Sequence, residues 1–342
     1  MAKKKVRTFV RGLDSATYGL NEFRQEQLAN PRVRDNTIVV DDGSVGHSAN
    51  TKTSHTAWRV GPGDEQFLTQ TIQVHFTGVD GHGQNGGHGH QNEAAFYILE
   101  GAGYEIHDGI RYDWKKDDLV YVHTDSVHQH FNPYDENALA LVVKAKSTWM
   151  FMGLIQQGKS GPIDRPQEFG PREEWSRIWT PGVLDRKKVI SVEDTTWEMT
   201  QLGNQRIIAS PEKTDGRIHS TDSYELKINP GSRSGRYWKM ADEVFYALDG
   251  DGHFLMWEVE AEIAEKYYAR TALEPKRFDF TKGDTIYVPQ NHVVQIFAND
   301  GSTVRLFQSQ NRLFRTLGYD NIHFFEDAPE YTGAGELAKS PV

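Results

Sequence analysis

No cysteine occurs in the 342-residue chain, which excludes disulfides, thiolate nucleophiles and cysteine-ligated zinc or iron–sulfur centres together. Any metal must therefore be held by histidine and carboxylate. Long hydrophobic runs are also missing: the longest, 138–143 and 149–155, fall far below the ~20 apolar residues that cross a bilayer. Lys3, Lys4, Lys5 and Arg7 are followed through Asp14 by no apolar segment, so no secretion signal is expected there. Positive charge is in deficit, with a formal net charge of −10 and no Lys/Arg block, so nothing here would release counterions from a nucleic-acid backbone. The chain contains no P-loop, GxSxG or HExxH, and Gly231 to Gly235 (GSRSG) precedes no helical pattern and reads as a turn. These absences predict a soluble, cytoplasmic protein that binds neither membrane nor nucleic acid.

The length allows about two domains at ~150 residues each. With 37% hydrophobic and 11% aromatic residues the chain can bury a substantial core. Two blocks recur in the same order. NEAAFYILEGAGYE (Asn92 to Glu105) aligns without gaps on ADEVFYALDGDGHF (Ala241 to Phe254), and DDLVYVHTDSVHQHF (Asp117 to Phe131) on GDTIYVPQNHVVQIF (Gly283 to Phe297). This is a tandem duplication. Within each block apolar residues alternate across Gly turns, as Tyr97 and Leu99, then Tyr104 and Ile106, do around Gly101 and Gly103. Short strands at such spacing predict an all-β sandwich or barrel. The organisation predicted is an N-terminal arm over 1–50, with a short helix from Ser15 to Ala29; a first domain over 51–157; a Pro/Gly-rich linker over 158–185; a second domain over 186–320; and a loosely ordered tail over 321–342.

Histidine carries the chemical signal. Eight of the 14 fall between His75 and His130. His88 and His90 are separated by one residue, which on a strand puts both imidazoles on one face. His128 and His130 repeat the spacing after the next strands, where a neighbouring strand would supply a third ligand. The tract Gly81 to His90 (GHGQNGGHGH) taken alone also reads as a solvated His/Gly loop. It runs directly into the apolar strand FYILEG, which favours a metal site.

GGHGHQNEAAFYILEGAGYEIHDG followed by DDLVYVHTDSVHQHFN resembles the two motifs of the cupin superfamily, and the tandem copy resembles a bicupin. The resemblance implies two double-stranded β-helix (jelly-roll) domains, covering roughly 60–143 and 191–313. At the position where cupins usually place a metal-binding Glu, this sequence has Ala94; Glu93, beside it, would point to the other face of the strand. Further departures are His123 for the usual proline and Asp117 for the usual glycine. The missing carboxylate, with the His-x-His-x-Asn string at His128, His130 and Asn132, resembles the gentisate 1,2-dioxygenase group, which includes salicylate and hydroxynaphthoate ring-cleaving enzymes. That resemblance implies Fe(II) held by His88, His90 and His128, with His130 beside the metal.

The expected function is therefore a mononuclear non-haem Fe(II) ring-cleaving dioxygenase that takes O2 and a hydroxylated aromatic of gentisate, salicylate or hydroquinone type. His130, with an expected pKa near neutrality, suits a general acid or base, its ordinary alternative being a packed core histidine. Gln73, His75, Arg59, Tyr104 and Gln129 are candidate substrate contacts, each with an ordinary packing alternative. At the matching positions of the second repeat stand Tyr237, Lys239, Glu243 and Val294, so no metal is expected there, and His292, matching Ser126, reads as structural. A homo-oligomer, dimer or tetramer, is expected. Two other readings remain: a metal-dependent isomerase or decarboxylase that works without redox chemistry, and a non-catalytic cupin that binds a small molecule.

Overall fold

The computed structural model describes residues 32–33, 50–60, 71–145, 148–149, 157–162, 165–169, 171, 186–210, 216 and 218–333. The predicted helix from Ser15 to Ala29 lies outside them. The strands are β1 (Arg32–Val33), β2 (Ser54–Val60), β3 (Gln73–Val79), β4 (His88–His90), β5 (Ala94–Glu100), β6 (Ala102–His107), β7 (Ile110–Lys115), β8 (Leu119–Val122), β9 (Ser126–Phe131), β10 (Ala138–Lys144), β11 (Gln157–Lys159) and β12 (Val189–Ile190). They continue as β13 (Trp197–Met199), β14 (Asn204–Ala209), β15 (Thr221–Ile228), β16 (Arg236–Lys239), β17 (Glu243–Asp249), β18 (Gly252–Ile263), β19 (Tyr267–Thr271), β20 (Lys276–Phe280), β21 (Thr285–Val288), β22 (His292–Ala298), β23 (Val304–Asn311) and β24 (His323–Glu326). Among the described residues helix is scarce: Thr148 and Trp149 are helical, and Leu313–Thr316 form a single α-helical turn. No helix among them is long and apolar enough to cross a membrane.

Each half is a two-sheet jelly roll. The first pairs the order β12-β8-β5-β10-β3-β2 with β11-β4-β9-β6-β7; the second pairs β1-β21-β17-β23-β15-β14-β13 with a sheet running β19-β18-β22-β16-β24. The fold is thus two tandem cupin barrels. Four elements fall outside the boundaries read from sequence. β11 straddles the expected start of the linker and pairs with β4, β12 joins the first barrel although it follows the linker, and β1 from the arm joins the second barrel. β24, in the expected tail, pairs with β16. All four lie along sheet borders, where a short added strand satisfies edge groups that would otherwise stay unpaired. Such strands are too short to carry a periodicity signal.

Alternation decides which side chains enter each barrel. In the first, Ala94, Phe96, Ile98, Val120, Val122, Ala140 and Val142 form one buried cluster inside the barrel, joined by Trp114. The opposite face of the same sheet, with Tyr97, Leu119, Tyr121, Leu141 and Val143, packs against Ile208, Ile218, Val244, Tyr287 and Phe307 of the second domain. The barrels therefore sit back to back, and each fully buried large side chain contributes about 1.5–3 kcal/mol. Polar groups bridge the same seam. The Tyr97 hydroxyl lies 2.9 Å from Asp117 Oδ1 and 2.7 Å from Glu225 Oε1, and Arg305 reaches both carboxylates at 3.0 and 2.9 Å.

The turn before β8 explains the Asp117 departure. Asp117 has φ +67°, and its counterpart Gly283 has φ +88°. Aspartate tolerates this left-handed conformation better than most residues, so the turn survives the loss of glycine. In both copies the next aspartate holds the turn from its side chain, with Asp118 accepting from Lys115 N at 2.9 Å and Asp284 from Thr281 N at 2.8 Å.

Candidate metal centre

β4 and β9 are neighbours, and their register sets His88 directly opposite His128. His90 stands two residues along the same face of β4 as His88. The three rings close on one another, with centroids 4.2 Å (His88–His128), 4.9 Å (His90–His128) and 5.5 Å (His88–His90) apart. One ligand atom from each lies within 4.8 Å of the others, which is the spacing of a shared first-row ion. Gly89 between the two histidines lets the strands approach closely, since a Cβ there would sit 3.0 Å from Ser126 O and 3.3 Å from Val127 Cγ2.

Local hydrogen bonds orient the donors. His88 Nδ1–H donates to Gly86 O at 2.9 Å and His90 Nδ1–H to Asn92 O at 2.6 Å, which leaves each Nε2 with its lone pair toward the cluster. Both ring nitrogens of His128 are buried with no hydrogen bond from the protein. Burial, partly offset by the Gly86 hydrogen bond, brings the His88 pKa down to about 4; burial and then the neighbouring histidines hold His128 well below its ordinary value. His88 and His128 are thus neutral at pH 7, as metal ligands must be. The donor set therefore fits a divalent cation.

This has a consequence for the metal-free protein. The unfolded chain takes up the His88 proton near pH 6.5, whereas the folded chain resists until about pH 4, so between these values the unfolded state holds more protons and stability rises with pH. The apo protein should lose stability steadily as the pH falls from 6.5 to 4. Urea midpoints across that window should show the slope, and His88→Gln should lessen it, the remainder coming from His128 and His130; an equal slope in both would show that His88 does not contribute.

The second repeat shows what a side chain at position 94 would reach. Tyr237 pairs with Val294 in the register of His88 with His128. Glu243, the counterpart of Ala94, accepts from the Tyr237 hydroxyl at 2.7 Å and forms an ion pair with Lys239, the counterparts of His88 and His90. An ammonium group thus occupies the space where a cation would sit, and it completes its contacts with Gln310 Oε1 at 2.7 Å. Ala94 in the first barrel is fully buried on the matching face. Glu93 turns the other way, its carboxylate accepting from the backbone N–H of His219 and Ser220 in the second domain at 2.9 and 2.7 Å.

Of the other sequence candidates, three share the interior. His130 follows His128 on the inward face of β9, 5.6 Å away between ring centroids and 4.6 Å from Phe96; its Nε2 is buried with no hydrogen bond from the protein. Burial, then the positive charge of Lys188, holds its pKa well below the ordinary value rather than near neutrality, so it stands ready as a neutral ring. Gln73 and His75 are buried opposite Lys144 and Val142, on the inward-facing rows. Three candidates do not face the interior. Arg59 lies over the Phe76 ring at 4.5 Å, on the side toward the second domain, the face that Ala57 takes two residues earlier on β2. Tyr104 stacks on Phe131, 4.9 Å between centroids, and carries Arg111 at 3.8 Å; Gln129 donates to Asn85 O at 2.8 Å. Both belong to the outward parity of their strands. The sequence reading missed Lys144, whose buried ammonium sits beside Gln73 and adds positive charge near His88. Its parity with Val142 was the available signal.

Residues 75–144 match the cupin domain family, and no curated protein matches the chain by sequence. Among solved structures, salicylate 1,2-dioxygenase from Pseudaminobacter salicylatoxidans is similar at 13% identity and a TM-score of 0.59 over 92% of this chain and 99% of that one. Its adduct with gentisate gives 14% and 0.59 over 95% and 96%. A variant of oxalate decarboxylase from Bacillus subtilis is similar at 13% and 0.53 over 81% and 78%. These likenesses show a bicupin fold and carry no activity across.

Proposed function

We propose that the protein is a mononuclear non-haem Fe(II) dioxygenase that cleaves the ring of a hydroxylated aromatic compound. The observation that carries this reading is a cluster of three imidazoles with alanine where a carboxylate would stand. Iron(II), when bound, would supply the electron transfer between the aromatic substrate and O2. His88, His90 and His128 would hold it without cancelling its charge, leaving +2 at the site where one carboxylate ligand would leave about +1. That favours an anionic chelator such as an ortho-hydroxycarboxylate. Lys144 adds positive charge, Gln73 and His75 offer hydrogen bonds, and Phe96, Ile98 and Trp114 supply an apolar wall that receives the ring and excludes water. His130 Nε2, neutral and unengaged, would accept a proton from a ring hydroxyl.

Oxygen uptake by anaerobically purified, iron-loaded protein tests this, with gentisate, salicylates, hydroquinone and catechols as substrates. Uptake with ring-opened product supports it. Turnover of a substrate in the absence of O2 would replace it with the isomerase or decarboxylase reading, and tight binding without turnover with the binding-protein reading.

Ala94 gives a second test. Ala94→Glu places a carboxylate where Glu243 stands in the other barrel, and is expected to keep iron while weakening an aromatic acid by about tenfold or more, since the site charge falls by one. Ala94→Gln, equal in size and uncharged, should bind the acid better than Ala94→Glu. Equal weakening in both, measured by ligand titration, would assign the effect to crowding.

A further inference from the structure

Beside the three-histidine cluster lies a second constellation that the proposed reaction does not use. β6 ends at His107, Asp108 follows in the turn to β7, and His123 stands just ahead of β9. His107 and His123 are each 1% exposed, their rings 4.3 Å apart between centroids. Asp108 Oδ2 is 3.7 Å from His123 Nε2, and one ligand atom from each of the three residues lies within 4.8 Å of the others. The Asp108–His123 separation exceeds a hydrogen bond, and approximates the ~3.4 Å between two donors that share a tetrahedral ion at bonds of about 2.0–2.1 Å. Asp108 is also fixed in place. Its backbone N–H donates to Val127 O at 2.8 Å while its Oδ1 accepts from Val127 N at 3.0 Å, so Oδ2 is held on the side facing His123.

We infer that His107, Asp108 and His123 form a second cation site, for a borderline divalent ion of the zinc class, separate from His88, His90 and His128. Two imidazoles and one carboxylate suit such an ion, with water in the remaining position, whereas calcium or magnesium would require more oxygen donors. The neighbouring positive charge is compensated: Lys188, which faces the ring of Tyr112 on β7, is paired with Glu105 at 2.6 Å. The site would be structural. Asp108 grips Val127, the residue before His128, and His107 lies opposite His128 in the β6–β9 register, so an ion there would tie together the strand that carries the third ligand of the first cluster.

Zinc alone is the probe. Chelator-stripped full-length protein, reloaded with Zn2+ and desalted, should retain two ions per chain, and Asp108→Asn should retain one, because asparagine keeps the amide oxygen that receives Val127 N and removes the ligating carboxylate. His88→Ala/His90→Ala protein, checked for native circular dichroism, should also retain one, and adding Asp108→Asn to it should weaken that ion by at least about tenfold and abolish the rise in Tm that zinc produces. One ion in the parent and none in folded His88→Ala/His90→Ala protein would overturn the inference. So would a count unchanged by Asp108→Asn, and this single variant decides the matter if the double variant does not fold. Neither result depends on whether the first cluster holds iron or cleaves rings.

Discussion

His88→Ala/His90→Ala protein is expected to hold one metal ion fewer per chain than the parent and to lose all turnover. The two residues supply two of three imidazole donors, both aimed by hydrogen bonds to backbone carbonyls, and His128 alone cannot retain a divalent ion against buffer and hydrolysis. Even loss of an outer hydrogen-bond partner of a metal ligand costs about 10–100-fold in affinity, so loss of two ligands should exceed that range. Metal analysis after desalting, set beside oxygen uptake, checks it. The matched change in the other barrel, Lys239→Ala, should leave the ion count unaltered, since that ammonium is already paired with Glu243 and Gln310. An unchanged ion count in the His88/His90 double variant, or turnover that survives it, would sink the assignment of the centre.

The second large effect is expected at His130. His130→Ala should keep its iron and bind the aromatic acid with little change, yet lose ~10²–10⁴ in turnover, the usual range for a proton-transfer group. The geometry separates His130 from the ligands: it stands on the face of His128 but outside the cluster whose donor atoms converge, and it packs on Phe96 with Nε2 unengaged. His130→Gln should restore a hydrogen bond to substrate without restoring turnover, which a merely positional role would allow. Iron lost from His130→Ala would make it a ligand, and turnover within a few-fold of the parent would make it a packing residue. Single-turnover measurements with KM and kcat determined separately distinguish these outcomes.

Much of the fold was written locally. Alternation across the Gly101–Gly103 turn marked β5 and β6, the short β-branched run LVYV after two aspartates marked β8, and the internal repeat located their counterparts β17, β18 and β21, because a duplicated barrel must bury the same faces twice. The His-x-His spacing of β4 and the His128–His130 pair were legible for the same reason: a strand fixes which side chains share a face whatever surrounds it. So was the replacement of the metal-binding set in the second repeat.

Contacts between distant segments were not written in that way. Whether His128 faces His88 depends on the β4–β9 register, which long-range pairing sets, and Arg59 falls on the face of Ala57, which only packing against the second domain marks as the outer one. The edge strands β1, β11, β12 and β24 became strands only because a sheet border stood ready to pair with them. The pKa of His130 likewise followed from burial and from Lys188, which lies 58 residues away in sequence. Residue identity and strand period determined which groups this protein could bring to a metal; only the closing of the barrel, which sets register and removes water, decided which groups meet there, which stay neutral, and that His107, Asp108 and His123 come together beside them.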